Sequence, residues 1–174
     1  MNKKLLIALP IALFAVAAIV AAYVMLTTSV TVHVKEGQEM SYYDWQQNDW
    51  VALPLDGSNY VFPDLDINAG DYYDIQYQAT NPNKRDIMYT IALQSDNDNG
   101  TIEFVCGTSG LQYYVENDGT TNPTIYLINE AGATSEFNTR VVVNAGASPS
   151  ETIIVTGSYD RAEVNQSINW QTCP

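Results

Sequence analysis

From residue 30 onward, apolar and polar residues alternate with a period of two, which constrains the fold more than any other feature of the sequence. Successive side chains of a strand point to opposite faces, so such a run buries one face and wets the other. In DYYDIQYQAT, Tyr73, Ile75 and Tyr77 share a face, and in DIMYTIALQ so do Ile87, Tyr89, Ile91 and Leu93. Ile102, Phe104 and Cys106 align in TIEFVCG, as do Leu111, Tyr113 and Val115 in GLQYYVEN. TIYLI, NTRVVVN, ETIIVTGSY and SINWQ are further candidate strands. Turn residues separate these runs, among them Asp56-Gly57, Ala69-Gly70, Asn81-Pro82-Asn83, Asp118-Gly119 and Ala131-Gly132. No amphipathic helix is legible after residue 30. The pattern predicts an all-β fold, a jelly-roll or immunoglobulin-like β-sandwich of about eight to ten strands. IALQSDNDNGTIEFV is the sharpest hairpin signal, two alternating runs around a loop ending Asn-Gly. Residues 44–63 predict a strand followed by a long loop.

The N-terminus follows a different rule. Residues 5–26 carry no charge and follow Lys3-Lys4. About 20 apolar residues in a helix span a bilayer core. The segment 1–26 is therefore read as an N-terminal hydrophobic helix, a signal or a membrane anchor, with residues 27–174 as one extracytoplasmic domain. The lysines stay cytoplasmic under the positive-inside rule. The length favours a retained anchor that holds the protein to the membrane. The small residues Val20-Ala21-Ala22 offer a signal-peptide cut before Tyr23. Pilin-type cleavage after the lysines is a third route. Cell-surface or extracellular localisation follows from each.

The exported part sets five basic residues (Lys35, Lys84, Arg85, Arg140, Arg161) against all twenty acidic ones. Nucleic acid is excluded as a partner, because phosphate binding needs clustered Lys and Arg. Two cysteines, Cys106 and Cys173, make an even count in an oxidising compartment, and a disulfide is expected between them. Two unpaired thiols are the alternative.

The signals for chemistry are sparse. His33 is the only histidine and falls on the polar side of a strand, so a Ser-His-Asp device has no evident basis. Ser109, in GTSG, lacks the spacing of a nucleophile elbow. No catalytic residue and no enzymatic activity are expected. Asp96 and Asp98 in DNDNG resemble a calcium loop with glycine in the wrong register. No cofactor is expected, calcium being the one metal the acids would suit. A further acidic group, Asp64, Asp66, Asp71 and Asp74, alternates as solvent-facing strand positions do. Asn99-Gly100-Thr101 and Asn165-Gln166-Ser167 are N-glycosylation sequons. Tyr42, Tyr43, Trp45 and Trp50 are interleaved with Asp44 and Asp49. Tyr43, Trp45 and Trp50 are candidate ligand-binding aromatics for carbohydrate or protein, unless alternate members turn into the core.

The domain opens on TTSVTVHVKEG. Val30, Val32 and Val34 lie on one face of this strand, and Thr31, His33 and Lys35 on the other. The valines either complete their own sandwich or fill a groove in a neighbouring subunit, as in strand addition. A heterologous contact of the second kind propagates into a filament. The export segment, the strand directly after it, and INAGDYYDIQYQATNPNKRDIMYTIAL together resemble the TasA/camelysin-type fibre proteins and related archaeal bundling pilins. The resemblance lies in layout and implies a jelly-roll-like sandwich, extracellular filaments and N-terminal donor strands. It identifies the expected partner as further copies of the chain, with Val30, Val32 and Val34 as the self-association residues. A membrane-anchored binding module is the alternative.

Overall fold

The computed structural model describes residues 39–55, 57–62, 67–147 and 152–174. The chain divides into two units, Met1–Glu36 and Gly37–Pro174. The opening strand with Val30, Val32 and Val34, the apolar segment 1–26, and Asp64 and Asp66 all lie outside the described residues.

Eleven strands form among the described residues, and no helix. They are β1 (Met40–Asp44), β2 (Asp49–Ala52), β3 (Tyr60–Val61), β4 (Tyr72–Thr80), β5 (Ile87–Ser95), β6 (Gly100–Cys106), β7 (Gln112–Glu116), β8 (Thr124–Asn129), β9 (Thr134–Val143), β10 (Val155–Ala162) and β11 (Gln171–Thr172). They make a five-stranded sheet in the order β2-β1-β4-β9-β6 and a six-stranded sheet in the order β11-β7-β8-β5-β10-β3. Every pairing is antiparallel. The inner faces share one core, in which Ile75, Tyr77, Phe137 and Val141 of the first sheet meet Tyr89, Ile91, Ile125 and Leu127 of the second. This is the predicted all-β, two-sheet architecture. The expected faces of β4 and β5 are those the core uses, from Ile75 to Tyr77 and from Ile87 to Leu93, with Tyr73 left exposed at the start of β4.

Four local expectations are corrected. The run IALQSDNDNGTIEFV is not a hairpin: β5 belongs to the six-stranded sheet and β6 to the five-stranded one, so the loop between them arches across the core. A two-residue type I′ turn needs positive φ at both central residues, and neither Asn99 nor Gly100 has it. Gly100 serves a close approach instead. A Cβ there would meet Ser95 Oγ at 2.8 Å and Ile153 Cδ1 at 2.9 Å. The arch is held by Asp96, whose backbone N–H donates to Ile154 O (3.0 Å) and whose Oδ1 accepts the Ile154 N–H (2.8 Å). Conversely, the strand at the start of the segment read as a strand and a loop, β2, closes a true hairpin with the preceding β1, Tyr43 paired to Trp50. In the C-terminal third, SINWQ contributes only the start of the two-residue β11, and the strand in ETIIVTGSY begins at Val155 and runs on to Ala162.

Two ties fix the ends of the described domain. Cys106 in β6 and Cys173 beside β11 form the expected disulfide, with Cα atoms 5.6 Å apart. It joins the edges of the two sheets. At the start, the buried Glu39 carboxylate pairs with Arg161 on β10, and the Tyr89 hydroxyl donates to it at 3.4 Å. Glu39 O also accepts the Thr80 N–H at 2.7 Å. A buried carboxylate needs such partners, because an unpaired one is strongly destabilising. The core also holds hydroxyls: Tyr60 Oη, Tyr77 Oη and Thr139 Oγ1 are buried with no hydrogen-bond partner among the described residues. Burial pushes the Tyr60 and Tyr77 hydroxyls well above the ordinary tyrosine range.

Candidate functional site

The densest exposed aromatic group sits on the β1–β2 hairpin. Its turn is built by Asp44, whose Oδ1 accepts the backbone N–H of Gln46 (2.8 Å) and of Gln47 (3.2 Å). Its Oδ2 accepts from Gln47 Nε2 at 2.8 Å. These donors, the Gln47 N–H first among them, hold the Asp44 carboxyl below the usual carboxylate range against the opposing effect of burial. Asn48 closes the turn at φ 54°, a left-handed conformation asparagine tolerates. The Tyr43 hydroxyl donates to Asn48 Oδ1 at 3.0 Å.

The turn brings the three sequence-predicted aromatics together. The Tyr43 ring meets Trp45 edge-on at 4.6 Å and Trp50 edge-on at 5.3 Å. Tyr43 and Trp50 are half-buried, and Trp45 is 59% exposed. The neighbouring Tyr42 points the other way, packing its ring on Phe62 at 4.7 Å. Alternation thus sends Tyr42 to the core and Tyr43 to the outer face, where it shares a row with Trp50.

Beside this cluster, the outer face of the five-stranded sheet carries residues that sequence reading missed. The outward positions of β4 and β9 include Gln76 opposite Asn138 and Gln78 opposite Glu136. Glu136 accepts from Gln76 Nε2 and from Gln78 Nε2, each at 3.4 Å. At the far corner, Arg140 binds Asp74 through Nε (2.8 Å) and Nη2 (3.0 Å) and lies over the Tyr72 ring at 4.0 Å. The Asp74 hydrogen bonds raise the Arg140 guanidinium further. The signal was present, as the polar positions of DYYDIQYQAT. What was missing was the neighbour, since alternation does not say which strand lies alongside.

The remaining candidates are dispersed. Asp96 holds the Ile154 amide in the arch, and the Asp98 carbonyl oxygen accepts from Asn144 Nδ2 at 3.4 Å. No group of three or more His, Cys, Asp or Glu side chains able to hold a metal occurs among the described residues. Of the sequon asparagines, Asn99 is half-buried in the arch, and its carbonyl accepts the Asn144 N–H at 2.9 Å. Asn165 is exposed, and its Oδ1 accepts the Ser167 N–H at 3.0 Å. Ser109 lines a depression of about 300 Å³ with Asp86, Thr108 and Glu130. His33 lies outside the described residues. No helix among the described residues is long and apolar enough to cross a membrane.

Fold and site define an all-β, two-sheet domain with an aromatic cluster at one sheet edge. Compared with known proteins, the chain matches no family model, no curated protein and no solved structure.

Proposed function

We propose that this chain is an exported structural protein of the cell surface, a filament subunit that joins copies of itself by adding its N-terminal strand to a neighbouring sandwich. The observation that carries the reading is the apolar face of the predicted strand, Val30, Val32 and Val34, directly after the uncharged run 5–26. The described sandwich builds both of its sheets from Met40 onward. The acidic surface and the layout shared with TasA/camelysin-type fibres and archaeal bundling pilins agree with it. Successive strands cross between the sheets from β4 to β7 and again from β8 to β10, and we read the sandwich as jelly-roll-like. The protein is not an enzyme on this reading, and its partner is itself.

The test is to produce residues 23–174 with and without residues 27–35 and to image both in the electron microscope. Filaments are expected only with the strand present, and filaments that survive the deletion overturn strand addition. The mature N-terminus, read by mass spectrometry of the native protein, distinguishes cleavage near Ala22 from a retained anchor.

A second reading is favoured by the exposure of Trp45 beside Tyr43 and Trp50. On it the chain is a membrane-anchored module whose aromatics hold a carbohydrate or a protein. Binding lost on Trp45→Ala and Trp50→Ala, in a chain that remains monomeric, selects this reading over the first.

A further inference from the structure

The outer face of the five-stranded sheet holds more than the aromatic cluster. Register places Trp50 beside Tyr43, Ser41 beside Gln78, Gln78 beside Glu136 and Gln76 beside Asn138. All of these point away from the core, whose side is taken by Tyr42, Ile75, Tyr77 and Phe137. Four adjacent strands, β2, β1, β4 and β9, therefore present a strip that is aromatic at the sheet edge and rich in planar polar groups toward its middle, with Ser41 buried between them. At about 4.8 Å per strand it is about 14 Å wide.

The charge pattern of the strip narrows its ligand. Arg140, the cation on this face, is bound through two nitrogens by Asp74 and lies against Tyr72. An anionic ligand finds no free cation among the described residues of this face, on a chain of net charge −13. A cationic partner meets carboxylates over the whole surface and has no reason to select this strip. The Glu136 carboxylate engages one N–H of each flanking glutamine. Each amide keeps an oxygen and a second N–H for another partner, already ordered by the bond to Glu136, which lowers the entropy lost on binding. Exposed aromatic rings beside oriented amides match a molecule with an apolar C–H face and a rim of hydroxyls.

Resting on the binding reading given above as second, we propose that this strip binds a neutral polysaccharide. A sugar ring stacks on Trp45, with Tyr43 behind it. The hydroxyls of the following residues exchange hydrogen bonds with Gln76, Gln78 and Glu136. The proposal is compatible with filament assembly, since a subunit with this face outward would carry glycan along its length.

Affinity electrophoresis of the full chain in gels containing a soluble β-glucan, an α-mannan or a polyuronate tests the proposal. Retardation is expected in at least one neutral gel. It should weaken at least tenfold for Trp45→Ala and, separately, for the double variant Gln76→Ala, Gln78→Ala. Gln94→Ala, on the other sheet, should leave it unchanged. Thermal unfolding of each variant checks that the fold is retained, and quenching of the parent's tryptophan fluorescence by the same glycan gives a second readout. Retardation in no gel, or only by the polyuronate, overturns the proposal. Binding that survives the glutamine pair but not Trp45→Ala also overturns it, while leaving the aromatic binding reading intact. Loss of filaments on deleting residues 27–35 is a separate measurement and bears on assembly alone.

Discussion

The two outer faces of the sandwich differ in what lies against them. On the six-stranded sheet, Met88 points outward between Ile128 and Ala162, yet it is only 8% exposed. Nearby, Val164, Gln166 and Trp170 of the C-terminal segment gather with Gln112 and Ile128 around a cavity of about 360 Å³. That segment is pinned by Cys173, by the pairing of β11 with β7, and by the bond from Trp170 Nε1 to Asn165 O at 3.1 Å. On the five-stranded sheet, Tyr43, Trp50, Gln76, Gln78, Glu136 and Asn138 stay half-exposed. Around Met88 and Ile128 the C-terminal segment covers part of the six-stranded sheet, while Ala92 and Gln94 of that face stay exposed, and on the five-stranded sheet the row of aromatics and amides is left available for a ligand. Both use the same alternating pattern, so the difference comes from the course of the C-terminal segment rather than from the strands.

Removing the pin should produce the largest effect. Replacing Cys106 and Cys173 together by serine opens a loop of 67 residues, and in the chain-entropy model costs on the order of 4 kcal/mol. Urea unfolding of parent and variant measures it, and a loss below a quarter of that figure would show that the covered face holds without the bond. Met88→Ala, on the covered face, should cost about 2 kcal/mol, as truncating a buried methionine does. The matched change on the open face, Gln76→Ala with Gln78→Ala, should stay within roughly 0.5 kcal/mol per site. Equal losses at the two places would erase the contrast.

The pH dependence separates the shared core from the open hairpin. Burial raises the Tyr60, Tyr77 and Tyr89 hydroxyls. A raised folded-state value contributes stability that is complete below the unfolded tyrosine pKa and lost as pH rises above about 10. Denaturation midpoints should therefore fall steeply in that alkaline range, and less so for Tyr77→Phe. Asp44 has the opposite sign. Its lowered value contributes stability present above the ordinary carboxylate pKa and lost as pH falls below it. Asp44→Asn should flatten that acid limb slightly, the smallest effect of the set.

Which residues enter the core was legible from period-two spacing, because burial of one strand face is a local property. Partnership was not. The Asn-Gly of the β5–β6 loop promised a hairpin, yet both strands feed the core from different sheets, and the glycine answers a close approach to Ser95 and Ile153. The β1–β2 turn has no glycine at all; it relies on the Asp44 carboxylate and on Asn48 in a left-handed conformation. Cys106 and Cys173 were pairable by count alone, there being no third cysteine. Of the site, the aromatics could be named from sequence because they are neighbours in the chain. Gln76 and Glu136 lie 60 residues apart, and only the sheet brings them together.

The disulfide also sets how the domain would answer a pull. Tension arriving at β1 is carried sideways through β4 and β9 to β6, and because register sets Tyr42, Tyr77, Phe137 and Cys106 at one level, it pulls across the strands in the direction that peels them apart. At β6 it passes through Cys106 to Cys173, one residue from Pro174. The six-stranded sheet lies off that line. The chain from Cys106 to Cys173, a separation of 67 residues or roughly 230 Å at about 3.4 Å each, is withheld from stretching for as long as the bond is intact.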